Sequence, residues 1–173
     1  AFEVTAAQES ATWWLDLPDE KATAALAHHV AEFIGAGDLV TLSGDLGAGK
    51  TAFLKNIAHA VALTHAPSDV KFGVITSHTD EWDEIRNSSH CMGIFSSHDS
   101  SGPDFLTSAA SWAHGNTRTG QSMLLLIDDL EAVAAFDFNA LQTLRWLLAR
   151  GPSRRVWLFV ALNAPRYGQV ISW

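Results

Sequence analysis

Gly44-Asp45-Leu46-Gly47-Ala48-Gly49-Lys50-Thr51 fills the pattern G-x-x-x-x-G-K-[ST] with no gaps. These residue types state a chemistry. Backbone N–H groups of such a loop wrap the phosphates of a nucleotide, and the following helix adds the partial positive charge of its N-terminus. Lys50 is expected to reach the β- and γ-phosphates, and the Thr51 hydroxyl to ligate Mg²⁺. Gly44, Gly47 and Gly49 permit a close approach that a Cβ would block. With Asp45, Leu46, Ala48 and Ala52 they make up the expected nucleotide-binding set. The alternative is an accidental Gly-rich turn before a helix. At average residue usage, a chance match in a chain of this length is about one in a hundred or less.

A second set lies downstream. Met123-Leu124-Leu125-Leu126-Ile127 is an uninterrupted apolar run that ends in Asp128-Asp129. Asp128 is the expected Mg²⁺ partner beside Thr51, and Asp129 the expected acid that polarises the attacking water. Glu131 is a backup for that role, lying past the end of the strand. Asn163 follows the last clear strand directly. It either contacts the γ-phosphate or its water, or is a turn residue before Pro165. Arg166 is either a charge-stabilising arginine or a surface one. No N-K-x-D element that would read guanine is present, so ATP or ADP is the default nucleotide, with Mg²⁺. His78, His90, Cys91 and His98 match neither C-x-x-C nor H-x-x-x-H spacing, which argues against a structural metal.

Elements of the right kind surround these residues. Asp38 to Ser43 reads as a buried strand and Ala52 to Ala62 as a helix, which is the setting the loop needs. Pro18-Asp19-Glu20 opens an earlier helix with apolar positions Ala22, Leu26, Val30 and Phe33, and Gly35-Ala36-Gly37 stops it. Further strands are expected over Val70-Lys71-Phe72-Gly73-Val74-Ile75-Thr76, Cys91 to Phe95, Met123 to Ile127 and Val156 to Leu162. Short strands are expected over Phe2 to Thr5 and Thr12 to Asp16. Helices are expected over Glu81 to Arg86, Asp104 to His114 and Asn139 to Arg150, the last stopped by Gly151-Pro152. Alternating strands and helices predict an α/β chain: a three-layer P-loop NTPase fold with a mostly parallel central sheet and helices on both faces. Ligands in such sheets sit at the carboxyl ends of the strands, where the loop, Asp128 and Asn163 all fall.

Composition narrows the partners. The 173 residues, 47% hydrophobic, fit one domain over 1–173. No apolar run approaches the ~20 residues of a membrane span. No basic-then-apolar leader opens the chain, although Ala1 in place of Met marks it as other than a raw translation product. Cys91 is alone, so an internal disulfide is impossible and nothing argues for an oxidising compartment; the expected setting is cytoplasmic. A net charge of −8 argues against a nucleic-acid footprint. The clustered Arg145, Arg150, Arg154, Arg155 and Arg166 read as a solvated helix end and loop rather than as a nucleic-acid or phosphate contact, the alternative for such a cluster. The expected partner is a nucleotide, and no protein partner is identified.

Two resemblances carry these residues further. The stretch Leu17-Pro18-Asp19-Glu20, the Ala-rich helix, Gly37-Asp38-Leu39-Val40 and Leu42 to Thr51 resemble the TsaE family of P-loop ATPases required for threonylcarbamoyl-adenosine modification of tRNA. That resemblance runs from about Trp13 to Ala62 and implies ATP at Gly44 to Thr51. The family's later Ser-Pro-Thr-Phe and His-x-Asp-x-Tyr-Arg elements have no counterpart here, where Ala66-Pro67-Ser68-Asp69 follows. From about Val70 onward, Leu125-Leu126-Ile127-Asp128-Asp129-Leu130 and Leu158-Phe159-Val160-Ala161-Leu162-Asn163-Ala164-Pro165 resemble the C-terminal half of FtsK/HerA-like ATPases. A front half from one family and a back half from another imply a natural or engineered chimera with its seam near 63–69.

The leading expectation is thus an ATP-binding P-loop domain with weak Mg²⁺-dependent hydrolysis. The alternatives are a DNA-translocating motor fragment and a TsaE-like tRNA-modification partner.

Overall fold

The computed structural model describes residues 15–33, 40–44, 47–116 and 120–163. The expected strand Phe2 to Thr5 and residues 12–14 of the expected strand Thr12 to Asp16, together with Pro165 and Arg166, lie outside them.

Strands β1 (Val40–Gly44), β2 (Val70–Thr76), β3 (Cys91–Ser96), β4 (Ser122–Ile127) and β5 (Val156–Asn163) form one sheet. All four pairings are parallel, in the order β1-β5-β4-β2-β3. Parallel neighbours need crossovers, and helices supply them: α2 (Lys50–Thr64), α3 (Asp83–Arg86), α4 (Ser101–Gly115), α5 (Leu130–Val133) and α6 (Phe138–Arg150). Helix α1 (Glu20–Phe33) precedes β1 and packs on α2.

The two-residue period of the strands sorts their side chains into two cores. Phe72 and Val74 of β2, Leu124 and Leu126 of β4, and Phe159 and Ala161 of β5 face Ala27, Phe53, Leu54, Ile57 and Trp82. Ile75, Met123, Leu125, Ile127, Leu158 and Val160 face Phe105, Leu106, Ala109, Leu144 and Leu147 on the other side. Every residue of β4 is buried, as a strand covered on both faces must be. The fold is α/β, three layers deep, with a parallel central sheet.

The central strands follow the apolar runs closely, and the helix boundaries differ more. Helix α4 begins at Ser101, three residues before the expected Asp104. Pro103 lies in its first turn, where a missing N–H costs no helical bond. Asp99 accepts from the Ser101 amide at 2.8 Å and holds the start of the helix. Asp137 caps α6, its Oδ1 accepting from the Ala140 amide at 2.9 Å. Replacing Asp137 by alanine strands that amide and should lower stability by about 1 kcal/mol in urea unfolding. An unchanged midpoint would mean that packing alone sets the helix start.

Candidate functional site

Strand register delivers the candidate residues to one end of the sheet. Gly44, the last residue of β1, pairs with Asn163, the last of β5. Ile127 at the end of β4 pairs with Ile75 on one side and Val160 on the other, so Asp128 emerges beside them. β5 lies between the loop strand and the acid strand.

The loop leaves β1 at Gly44 and enters α2 at Lys50. Asp45 and Leu46 lie outside the described residues. Gly47 and Gly49 have φ of 81° and 79°, the left-handed region that a side chain disfavours. A Cβ on Gly44 would lie 3.0 Å from the Ala48 Cβ, so the loop closes tightly on itself. Lys50 Nζ donates to the Gly44 carbonyl at 2.9 Å, folding the ammonium across the loop mouth. Ala52, in the first turn of α2, accepts the Asn56 side-chain amide on its carbonyl at 2.9 Å.

Thr51 and Asp128 meet. The Thr51 hydroxyl donates to Asp128 Oδ1 at 2.7 Å across 77 residues of chain. The other carboxylate oxygen accepts from Thr76 Oγ1 at 3.2 Å and from the Trp82 indole at 3.3 Å. Burial pushes the Asp128 carboxyl above the ordinary carboxylate range. Hydrogen bonds from Thr51, Trp82 and Thr76 offset part of that rise, and the charge of Glu81 adds to it. A hydroxyl and a carboxylate in contact at a helix N-terminus are the hard oxygen donors that Mg²⁺ takes, so the residues present fit that ion.

Asp129 and Glu131 share a side-chain hydrogen bond but differ in their further partners. The Asp129 side chain caps α5, Oδ1 accepting from the Ala132 amide at 3.1 Å, while Oδ2 accepts from Ser77 just past β2. Burial raises the Asp129 carboxyl, yet hydrogen bonds from Ser77, the Ala132 amide and Glu131 more than compensate and hold it below the usual range. Glu131 Oε1 instead accepts from the Asn163 amide at the end of β5. Asn163 Oδ1 is enclosed and has no hydrogen-bond partner among the described residues.

Trp82, fully buried, was not legible as a site residue, because nothing in a short helical turn tells a core indole from a carboxylate partner. Thr76 and Ser77 carried a signal: polar residues at the carboxyl end of a strand. The Arg cluster stands apart. Arg154 and Arg155 precede β5 at the opposite end of the sheet, where Arg155 Nη1 donates to the Gly120 carbonyl at 2.9 Å. Among the described residues no helix is long and apolar enough to cross a membrane.

Comparison with known proteins divides the chain. Residues 17–90 match the family model of the threonylcarbamoyl adenosine biosynthesis protein TsaE. The tRNA threonylcarbamoyladenosine biosynthesis protein TsaE of Bacillus subtilis (strain 168) is 40% identical over 68 residues, 39% of this chain and 42% of that protein. The model match runs past residues 63–69 and ends at His90, short of Asp128, Glu131 and Asn163. Solved structures match more of the chain at lower identity. Thermomonospora curvata EccC (ATPases 2 and 3), in complex with a signal sequence peptide, superimposes with a TM-score of 0.66 at 16% identity, over 98% of this chain and 30% of that one. EssC (ATPases 2 and 3) from Geobacillus thermodenitrificans does so with a TM-score of 0.61 at 11% identity, over 73% and 28%. At such identities the likeness is one of fold, that of P-loop ATPases. The chain spans less than half the length of the relatives named.

Proposed function

We propose that this P-loop domain binds ATP or ADP along Gly44 to Ala52 and hydrolyses Mg²⁺-ATP slowly. The observation that carries the reading is the Thr51–Asp128 contact at 2.7 Å, because it joins the two halves of a nucleotide site across 77 residues. In this reading Lys50 exchanges the Gly44 carbonyl for the β- and γ-phosphates. Gly47 and Gly49 hold the loop open to them, and the α2 N-terminus adds its partial charge. Thr51 and Asp128 would hold Mg²⁺, which supplies charge neutralisation between the β- and γ-phosphate oxygens. Asn163 offers its unpartnered oxygen to the attacking water, and an acid after β4, Asp129 or Glu131, accepts a proton from that water. The lone, half-buried Cys91 and the acidic balance suit a cytoplasmic protein that does not bind nucleic acid.

Melting with and without nucleotide tests the reading. With Mg²⁺-ATP 100-fold above Kd, binding adds about 2.7 kcal/mol, a rise of about 5–10 °C for a chain of this length. No rise would remove the nucleotide site.

A second reading has its own support. The 40% identity over 68 residues favours a TsaE-like role, in which ATP serves assembly with the partners of tRNA modification. The end of that match at His90 also suits a recombined chain, with the back half drawn from another P-loop ATPase. A natural sequence that matches closely from end to end would exclude recombination.

A further inference from the structure

We infer that a cavity at the end of the sheet opposite the phosphate loop binds a small carboxylic acid with an apolar body, its carboxylate held by Arg155. The site is separate from the nucleotide reading and does not depend on it.

The strand period shapes the cavity. Val70 opens β2 and Ser122 opens β4, and the two are register partners, at the far end of the sheet from Gly44 and Asn163. Ser122 and Leu124 share one face of β4, as Trp157 and Phe159 share one face of β5. Ile57 and Val61, in the C-terminal half of α2, cover that face. Between these walls lies a cavity of about 280 Å³. An apolar cavity of about 150 Å³ already admits a benzene ring, so one ring with a short side chain fits here.

Polar groups meet at its mouth, and the two that matter are donors. Ser122 is 6% exposed, the one polar residue in an otherwise apolar β4, and its hydroxyl has no hydrogen-bond partner among the described residues. A buried hydroxyl without a partner is destabilising, and a ligand oxygen would satisfy it. Arg155 stands one residue before β5. Its Nη1 donates to the Gly120 carbonyl at 2.9 Å, which steadies the guanidinium while using one of its five donors. Arg155 also has a φ of 63°, where a glycine would sit without cost, so a guanidinium is kept at the mouth against the backbone's preference. The rim is completed by His65, whose Nδ1 is bonded to Thr64 at 2.7 Å, and by Asp69, whose Oδ1 accepts from Ser68 at 3.0 Å. Asp69 and Arg155 form no ion pair with each other. An acceptor-only end suits the two inner donors, and the planar guanidinium fork matches a carboxylate.

Three probes with one body test the site: hydrocinnamate, the corresponding alcohol and the corresponding amine. In titrations followed by protein NMR, hydrocinnamate should bind most tightly and shift the Val61 and Ser122 amides. The alcohol should bind about tenfold more weakly, and the amine more weakly still. Arg155→Gln, at an exposed position, should bring the acid down to the level of the alcohol and leave the alcohol unchanged. Ser122→Ala should weaken the acid severalfold. The shifts should persist in saturating Mg²⁺-ADP; their loss would place the acid at the phosphate loop and overturn the inference. Equal affinities for the three probes, or full acid affinity in the Gln variant, would overturn it too. So would the absence of any saturable shift up to about 10 mM probe, which would mean that the chain itself fills the cavity.

Discussion

Lys50→Ala should cost this protein its response to ATP. The Lys50 ammonium closes the loop mouth on the Gly44 carbonyl at 2.9 Å, which puts a full positive charge where phosphates would enter. Hydrogen bonds to charged groups are worth about 1.5–3 kcal/mol each, so losing contacts to two phosphates weakens binding by roughly 10²–10⁴-fold. In the nucleotide-free chain, alanine gives up the ammonium–carbonyl bond to Gly44 at the surface of the loop, and the fold should survive. Calorimetric titration with Mg²⁺-ATP separates the two effects. A variant that melts like the parent chain but no longer binds is the expected result. Unaltered affinity would show that Lys50 does not touch the phosphates, and the proposed site would have to be abandoned.

Gly73→Val should produce the largest loss of stability. Gly73 sits in the interior of β2, where a glycine weakens a strand and a valine would favour it, by up to about 1 kcal/mol. The tertiary structure reverses that preference. A Cβ at Gly73 would lie 2.2 Å from Phe105 Cζ and 2.7 Å from Cε1. The Phe105 ring has little room to retreat, since it is buried and stacked on Phe95 with centroids 4.1 Å apart. β2 is hydrogen-bonded to β4 on one side and to β3 on the other, where the register shifts between Phe72 and Gly73, so the backbone has limited room to yield. Overpacking of this kind costs about 1–3 kcal/mol, and valine, with two further methyls, belongs at the top of that range. The net effect should lower the melting temperature by about 4–12 °C. Phe105→Leu in the same chain should recover part of the loss, and that coupling is the signature of direct contact. Additive losses from the two substitutions would place the strain elsewhere.

These two positions show different degrees of legibility. The role proposed for Lys50 rests on its neighbours alone, because the loop pattern is local: glycines, lysine and threonine fall within a short stretch of chain. Gly73 stood in plain view within an apolar run, yet the run held no sign of the ring that requires it. The same divide separates the two acids. Asp128 and Asp129 were visible as the polar end of a buried strand. The direction each carboxylate takes depends on which strands lie to either side, and Ser77 and Asn163 are far away in sequence. Helix starts such as Ser101 and Asp137 fell between the extremes, since a cap is local but competes with several nearby polar residues.

By itself the sequence determined the Gly-rich G-x-x-x-x-G-K-T loop between a strand and a helix, the α/β class and the four apolar strands beyond it, because those features rest on residue types and periods within short windows. Only the tertiary structure decided that β5 lies between the loop strand and the acid strand, that Trp82 and Thr76 hold Asp128, and that Glu131 rather than Asp129 accepts from the Asn163 amide. Those contacts join residues 32 to 52 positions apart, and strand order, which sets them, leaves no mark on local periodicity.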